Sequence, residues 1–266
     1  MIQSVRDPRE VLGRKASPPD AVVRYGDGAE QVADLRLPRR ATGPLVVLLH
    51  GGFWRREYDR VHVRPMADGL VRAGYAVATP EYARTGAGGG WPSTFDDVAL
   101  AVSRLPALIA GTAAGTGPIL LVGHSAGGQL ALWSAATGLP PVYAGVLALA
   151  PVADLAEAFR LDLDGGAVAD LLGGSPEEVP DRYAAADPCA LPPAAIPVVL
   201  VHGSDDAQVP PDLSRRYAAH APSAELRILE GAEHFGLIDP LAAAWPAVID
   251  AIRSVQDHAR GGSPQA

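Results

Sequence analysis

Short, continuous apolar runs recur along this chain, each ending at a turn marked by Gly or Pro and most leading into a stretch of helical spacing. Residues 45–49 (Leu-Val-Val-Leu-Leu) precede a helical pattern over 66–73, and residues 75–78 precede one over 94–109. The run 119–122 leads into 126–136, 198–201 into 212–219, and 226–229 into 241–255, with a further run at 146–149. A strand that is apolar at every position must be covered on both faces. Alternation of such strands with helices therefore predicts a mostly parallel sheet packed by helices on both sides. Two earlier runs, 21–25 and 31–37, are parted by Gly26-Asp27-Gly28, a hairpin signal that adds an antiparallel edge. The expected architecture is an α/β sheet of about eight strands.

A chain of 266 residues with 48% hydrophobic and 20% charged residues buries one substantial core and is not intrinsically disordered, so a single domain is expected. The formal charge of −8, with no block of Lys or Arg, argues against nucleic acid as a partner. Cys189 stands alone, which excludes an intramolecular disulfide framework and a Cys-rich zinc site. No window approaches the roughly 18 apolar residues of a membrane span, and the charged N-terminus does not read as a signal peptide; a cytoplasmic location is expected. Three segments fall outside the rhythm. Residues 1–20 read as an N-terminal arm, 151–196 (rich in Gly and Pro) as a cap-like excursion, and 260–266 as a flexible tail. The oligomeric state leaves no mark on the sequence.

The most informative local pattern is Gly123-His124-Ser125-Ala126-Gly127, placed directly after one apolar run and opening a helical stretch. G-x-S-x-G in a strand–turn–helix context is a nucleophile elbow, in which the serine hydroxyl stands exposed above the sheet. Such a serine needs a base, and the base needs an orienting carboxylate. Asp205-Asp206 follow the run 198–201, and His234 follows the run 226–229. All three features lie just beyond the C-terminal ends of expected parallel strands, where open sheets collect functional groups.

With His50-Gly51-Gly52-Phe53-Trp54 after the first parallel strand, these residues make the chain resemble an α/β-hydrolase from about residue 20 to 257. The HGGxW segment is similar to that of kynurenine formamidase-like and related small esterases. That resemblance implies a catalytic Ser125, Asp206 and His234, with Asp206 in the acid position of the HGxxD pattern and Asp205 open as the alternative. It also implies an oxyanion hole of the backbone N–H groups of Gly52, Phe53 and Ala126. Backbone donors at that spot are physically apt, because a tetrahedral oxyanion needs preorganised N–H groups and Gly lets the chain come close.

The remaining features read plainly. His50 and His202 end strands and are expected to bond local backbone; His124 fills the variable position of the elbow. His62, His220 and His258 lack metal-ligand spacing, so no metal is expected. The run from Gly86 to Trp91 does not complete G-x-G-x-x-G, and no Walker pattern occurs, so no cofactor is expected. Trp54, Trp91 and Phe235 are candidates to line a substrate pocket. Arg55 and Arg56 suit a carboxylate-bearing substrate, although an ordinary solvated pair is the better reading. Taken together, the expectation is a serine hydrolase acting on small carboxylic esters. An arylformamidase and a non-catalytic small-ligand-binding scaffold are the alternatives, and acyl transfer would use the same residues.

Overall fold

The computed structural model describes residues 7–41, 43–110, 118–138 and 143–261. Eight strands form one sheet: β1 (Ala21–Arg24), β2 (Val32–Arg36), β3 (Val46–Leu49), β4 (Val77–Pro80), β5 (Ile119–His124), β6 (Tyr143–Leu149), β7 (Val198–Gly203) and β8 (Glu225–Leu229). Their order is β1-β2-β4-β3-β5-β6-β7-β8. The pairs β1–β2 and β2–β4 are antiparallel, and every later pairing is parallel. The expected antiparallel edge is thus present, the fully buried runs form β3 to β7, and the run at 226–229 forms the half-buried edge strand β8.

The described residues form eight α-helices in chain order: α1 (Arg64–Arg72), α2 (Ser93–Leu108), α3 (Ala126–Ala136), α4 (Leu155–Arg160), α5 (Ala167–Leu172), α6 (Pro180–Ala186), α7 (Asp212–His220) and α8 (Trp245–Gly261). Successive side chains of a strand point to opposite faces, and the core divides accordingly. Val46, Leu48, Leu120 and Val122 pack with Met66 and Leu70 of α1 and Val248 and Ile252 of α8. Val47, Leu49 and Leu121 pack on the other face, with Phe95 and Val98 of α2, Leu130 of α3 and Leu213 of α7. Helix α3 lies in the middle of that face and is buried from Ala126 through Ala135, which is why it lacks a polar stripe.

The excursion at 151–196 carries the short helices α4, α5 and α6, and the last helix differs from expectation at both ends. Helix α8 begins at Trp245 instead of residue 241, because the Asp239 carboxylate captures the Leu241 N–H (2.8 Å) and holds a turn there. It then runs through Gly261, so the expected tail keeps only 262–266, which lie outside the described residues. In the N-terminal arm, Pro8–Gly13 forms a 3-10 helix, with residues 1–6 outside the described part. Among the described residues, no helix is long and apolar enough to cross a membrane.

Candidate active site

Ser125 occupies the single residue between β5 and α3, at φ 56° and ψ −119°. A non-glycine residue takes this conformation only under strain. Ser125 N donates to Leu149 O (2.8 Å), and Ser125 O accepts from Val152 N (3.3 Å), so neighbouring β6 fixes the turn from the side. The flanking glycines are required by contact. A Cβ on Gly123 would stand 2.1 Å from Gly127 O, and one on Gly127 would stand 2.2 Å from Leu49 O. Helix α3 starts at the next residue and directs its free N–H groups and positive end toward the serine.

The loop after β7 carries Asp206, and the 3-10 turn His234–Ile238 after β8 carries His234. Their side chains meet, with His234 Nδ1 2.6 Å from Asp206 Oδ2. The other carboxylate oxygen accepts from Gln208 N (2.9 Å) and Val209 N (2.8 Å), which locks the carboxyl plane. Burial raises the affinity of Asp206 for a proton, but hydrogen bonds from His202 and His234 and the Val209 N–H outweigh it. The carboxyl is held well below the usual carboxylate range. Asp205 points elsewhere: it is exposed and accepts the Ser204 hydroxyl (2.7 Å).

His202 does bond local backbone, through Nε2 to Val209 O (2.9 Å), but the same nitrogen lies 3.3 Å from Asp206 Oδ2. Its Nδ1 meets Ser214 Oγ at 2.7 Å. His202 therefore braces the loop that presents Asp206, a role invisible in the sequence because Ser214 and Val209 must first fold around it. His124 is likewise more than a filler. Its ring lies 4.4 Å from that of His234, and Nε2 is 3.1 Å from His234 O. Burial and the neighbouring His234 ring keep His124 neutral, well below the ordinary imidazole range.

After β3 the chain turns sharply through Gly52 (φ 104°), Phe53 (φ 47°) and Trp54 (φ 58°). Three successive left-handed residues need an anchor, and His50 supplies it. Its Nε2 lies 2.8 Å from Glu81 Oε1, its ring stacks on Tyr82 at 4.2 Å, and Tyr82 Oη donates to His50 O (2.8 Å). Burial alone would raise the Glu81 carboxyl, but His50, the Arg60 N–H and Arg84 bring it down to about 2.

Ser125, His234, Gly52, Phe53 and Phe235 line one cavity of about 50 Å³. His124 lies beside them, and Leu12, Tyr58, His62, Asp164 and Gln208 complete the wall. Ala126 is buried behind the turn. Two aromatic residues expected at the pocket are not there. Trp54 is fully buried and donates to Gln129 Oε1 (3.2 Å), because the left-handed turn aims it into the core. Trp91 packs edge-on against Phe95 (5.0 Å), and its backbone N–H donates to Leu171 O (2.7 Å). Arg55 is not a free pocket cation, since at the surface it is bonded to Asp164 (2.6 Å) and Asp170 (2.9 Å); Arg56 is exposed.

The family model BD-FAE matches residues 33–140, a span that includes the Gly52 turn and Ser125 and stops before Asp206 and His234. No curated protein matches the chain. Among solved structures, Esterase B from Lactobacillus rhamnosis superposes with a TM-score of 0.74 at 21% identity, covering 96% of this chain and 91% of that one. A truncated carbohydrate esterase from gut microbiota gives 0.72 at 17% identity, covering 91% and 99%. A putative thioesterase from a Silicibacter species gives 0.67 at 23% identity, covering 91% and 88%. The chain has the α/β-hydrolase fold. Within that fold, the strand ends β3, β5, β7 and β8 deliver the Gly52 turn, Ser125, Asp206 and His234 to one edge of the sheet. The narrower likeness to kynurenine formamidase-like esterases is carried by the HGGxW residues alone.

Proposed function

We propose that this protein is a serine hydrolase that cleaves carboxylic esters of small substrates through an acyl-enzyme. One observation carries the reading: a strained Ser125 shares a narrow cavity with His234, whose far nitrogen is held by the buried Asp206 at 2.6 Å. A binding scaffold has no use for a strained serine beside an imidazole with an oriented tautomer. Esters are favoured over other acyl compounds because the structurally similar proteins include Esterase B and a carbohydrate esterase.

In the proposed reaction, Nδ1–H of His234 donates to Asp206, which leaves Nε2 unprotonated and available as base. Nε2 takes the Ser125 hydroxyl proton as Oγ attacks the ester carbonyl. The negative charge that develops on the carbonyl oxygen is met by the backbone N–H groups of Gly52, Phe53 and Ala126, preorganised by the left-handed turn and by the start of α3. Collapse of the intermediate breaks the C–O bond, and the departing alkoxide receives the proton from His234. Water, activated by the same histidine, then hydrolyses the acyl-Ser125 ester. Arg55, one of the two arginines suited to an acidic substrate of the formylkynurenine type, is engaged by Asp164 and Asp170 instead, which leaves the HGGxW residues as the feature favouring that alternative.

The test uses a fluorophosphonate probe and p-nitrophenyl acetate. The protein labels at Ser125 and turns over the ester, whereas Ser125→Ala neither labels nor retains more than about 10⁻⁴ of the activity. Equal turnover by Ser125→Ala would refute the assignment.

A further inference from the structure

Arg55 follows the Gly52 turn directly, and its N–H donates to Gly52 O (2.9 Å). Its guanidinium crosses to the excursion and makes four hydrogen bonds there. Nε reaches Asp164 Oδ2 (2.6 Å), Nη1 reaches Asp170 Oδ2 (2.9 Å), and Nη2 reaches the carbonyls of Asp164 (2.6 Å) and Gly165 (3.1 Å). The segment it grips is unusual. Asp162, Asp164, Gly165 and Gly166 all have positive φ (50°, 52°, 59° and 81°), and two of these are residues that pay for that conformation. A Cβ on Gly165 or Gly166 would meet nothing within 4 Å, so the outer side of the loop has no packing to hold it. Asp164 is also the only residue of the excursion among those lining the cavity of Ser125 and His234.

We propose that Arg55 determines acyl size: by clamping the 161–166 loop to the Gly52 turn, it holds Asp164 against the cavity and confines Ser125 to short acyl groups. This rests on the ester-hydrolase reading above. A cavity of about 50 Å³ is far smaller than the roughly 300–1,000 Å³ of sites for larger ligands, and the clamp is what keeps the excursion side of it shut. The guanidinium is suited to the task because its planar fork satisfies two carboxylates and two carbonyls at once, which a lysine ammonium cannot do. Arg55 touches neither the reacting atoms nor the acyl chain. It is a positioning residue, and it acts through Asp164.

The experiment compares kcat/KM for p-nitrophenyl acetate and p-nitrophenyl octanoate in the unsubstituted protein, Arg55→Ala and Arg55→Lys, with fluorophosphonate labelling of Ser125 and digestion by endoproteinase Asp-N run in parallel. The unsubstituted protein prefers acetate by about a hundredfold or more, as expected of a pocket that rejects added methylenes. Both variants narrow that preference at least tenfold, mainly through a lower KM for octanoate, keep labelling at Ser125, and become cleavable at Asp162 and Asp164. Arg55→Lys, which keeps the charge and most of the bulk, serves where Arg55→Ala does not fold. An unchanged acetate-to-octanoate ratio in a folded, labelled variant overturns the proposal, as does a preference for octanoate in the unsubstituted protein. Failure of the unsubstituted protein to label overturns the ester reading and the acyl-size role with it. The Asp-N digestion then reports on the clamp separately.

Discussion

The floor of the cavity and its walls are built in opposite ways. The floor is Ser125, His234 and the Gly52 turn, each sitting within a few residues of a strand end and fixed by backbone geometry. The walls come from remote pieces of chain held by charged side chains. Leu12 is brought in by the N-terminal 3-10 helix, where Arg14 pairs with Asp239 (Nη2 to Oδ2, 2.9 Å, with a second contact through Nη1), 225 residues away. Asp164 is brought in by Arg55, 109 residues away. A floor made of tight turns is rigid and admits few residue types. A wall made of surface-near ion pairs is adjustable, since such pairs hold position with modest energies. On the proposed function, chemistry and selectivity are thereby separated: substitutions in the floor alter rate, and substitutions in the walls alter which substrate enters.

Asp206→Asn tests the floor with the largest expected effect. The amide keeps the shape but offers an N–H or a neutral oxygen to His234 Nδ1, so the imidazole loses both its oriented tautomer and the charge that stabilises its protonated form. A drop in kcat of about 10²–10⁴ with little change in KM is expected from steady-state assays. A wall residue substituted in the same way would shift KM or chain-length preference instead. If Asp206→Asn changed KM alone, the division between floor and wall would collapse.

The same division explains what was legible in the sequence. The sheet was readable because each buried parallel strand must be apolar throughout, and the elbow was readable because only small residues fit where a Gly127 Cβ would lie 2.2 Å from Leu49 O. Asp206 and His234 were placed by the order of motifs, and the structure brings them into contact. Leu12, Tyr58, His62, Asp164 and Gln208 carried no local signal, for their positions depend on contacts made across the fold. Trp54 misled for the converse reason: it stands beside the Gly52 turn in sequence, yet its φ of 58° swings it inward onto Gln129. The ion pairs of Arg55 are hidden in the sequence because the carboxylates that bind it lie more than a hundred residues downstream.

Gly127→Ala strikes the floor through folding instead of chemistry. The added methyl meets the carbonyls of Leu49 and His50 at 2.2 and 2.4 Å, and backbone in the centre of the sheet cannot step aside. Urea unfolding should show a loss of about 3 kcal/mol or more, or the protein should fail to accumulate in soluble form. A loss under about 1 kcal/mol would mean that the elbow is looser than its contacts imply.

The smallest effect expected belongs to a wall residue and is read through pH. His62 donates Nδ1–H to Asp59 O (2.6 Å) beside the cavity, and burial, followed by the neighbouring His50, brings its pKa down to about 4 from the ordinary 6.5. Above pH 6.5 the imidazole is neutral in the folded and unfolded chains alike, and its contribution to stability is fully present. As pH falls below 6.5 the unfolded chain takes up the proton first, so stability declines until the folded form is also protonated, near pH 4, and then levels off. At about 1.4 kcal/mol per pH unit the decline attributable to His62 is at most about 3.5 kcal/mol, and partial contact with solvent through the cavity reduces it. Thermal unfolding of the protein and of His62→Asn between pH 4 and pH 7 isolates this term by difference, because the buried His124 contributes a decline of the same sign to both. The two curves should converge as pH falls, with His62→Asn the flatter. Parallel curves would place His62 in open solvent, and the wall it forms beside Tyr58 would then not be closed as the cavity geometry requires.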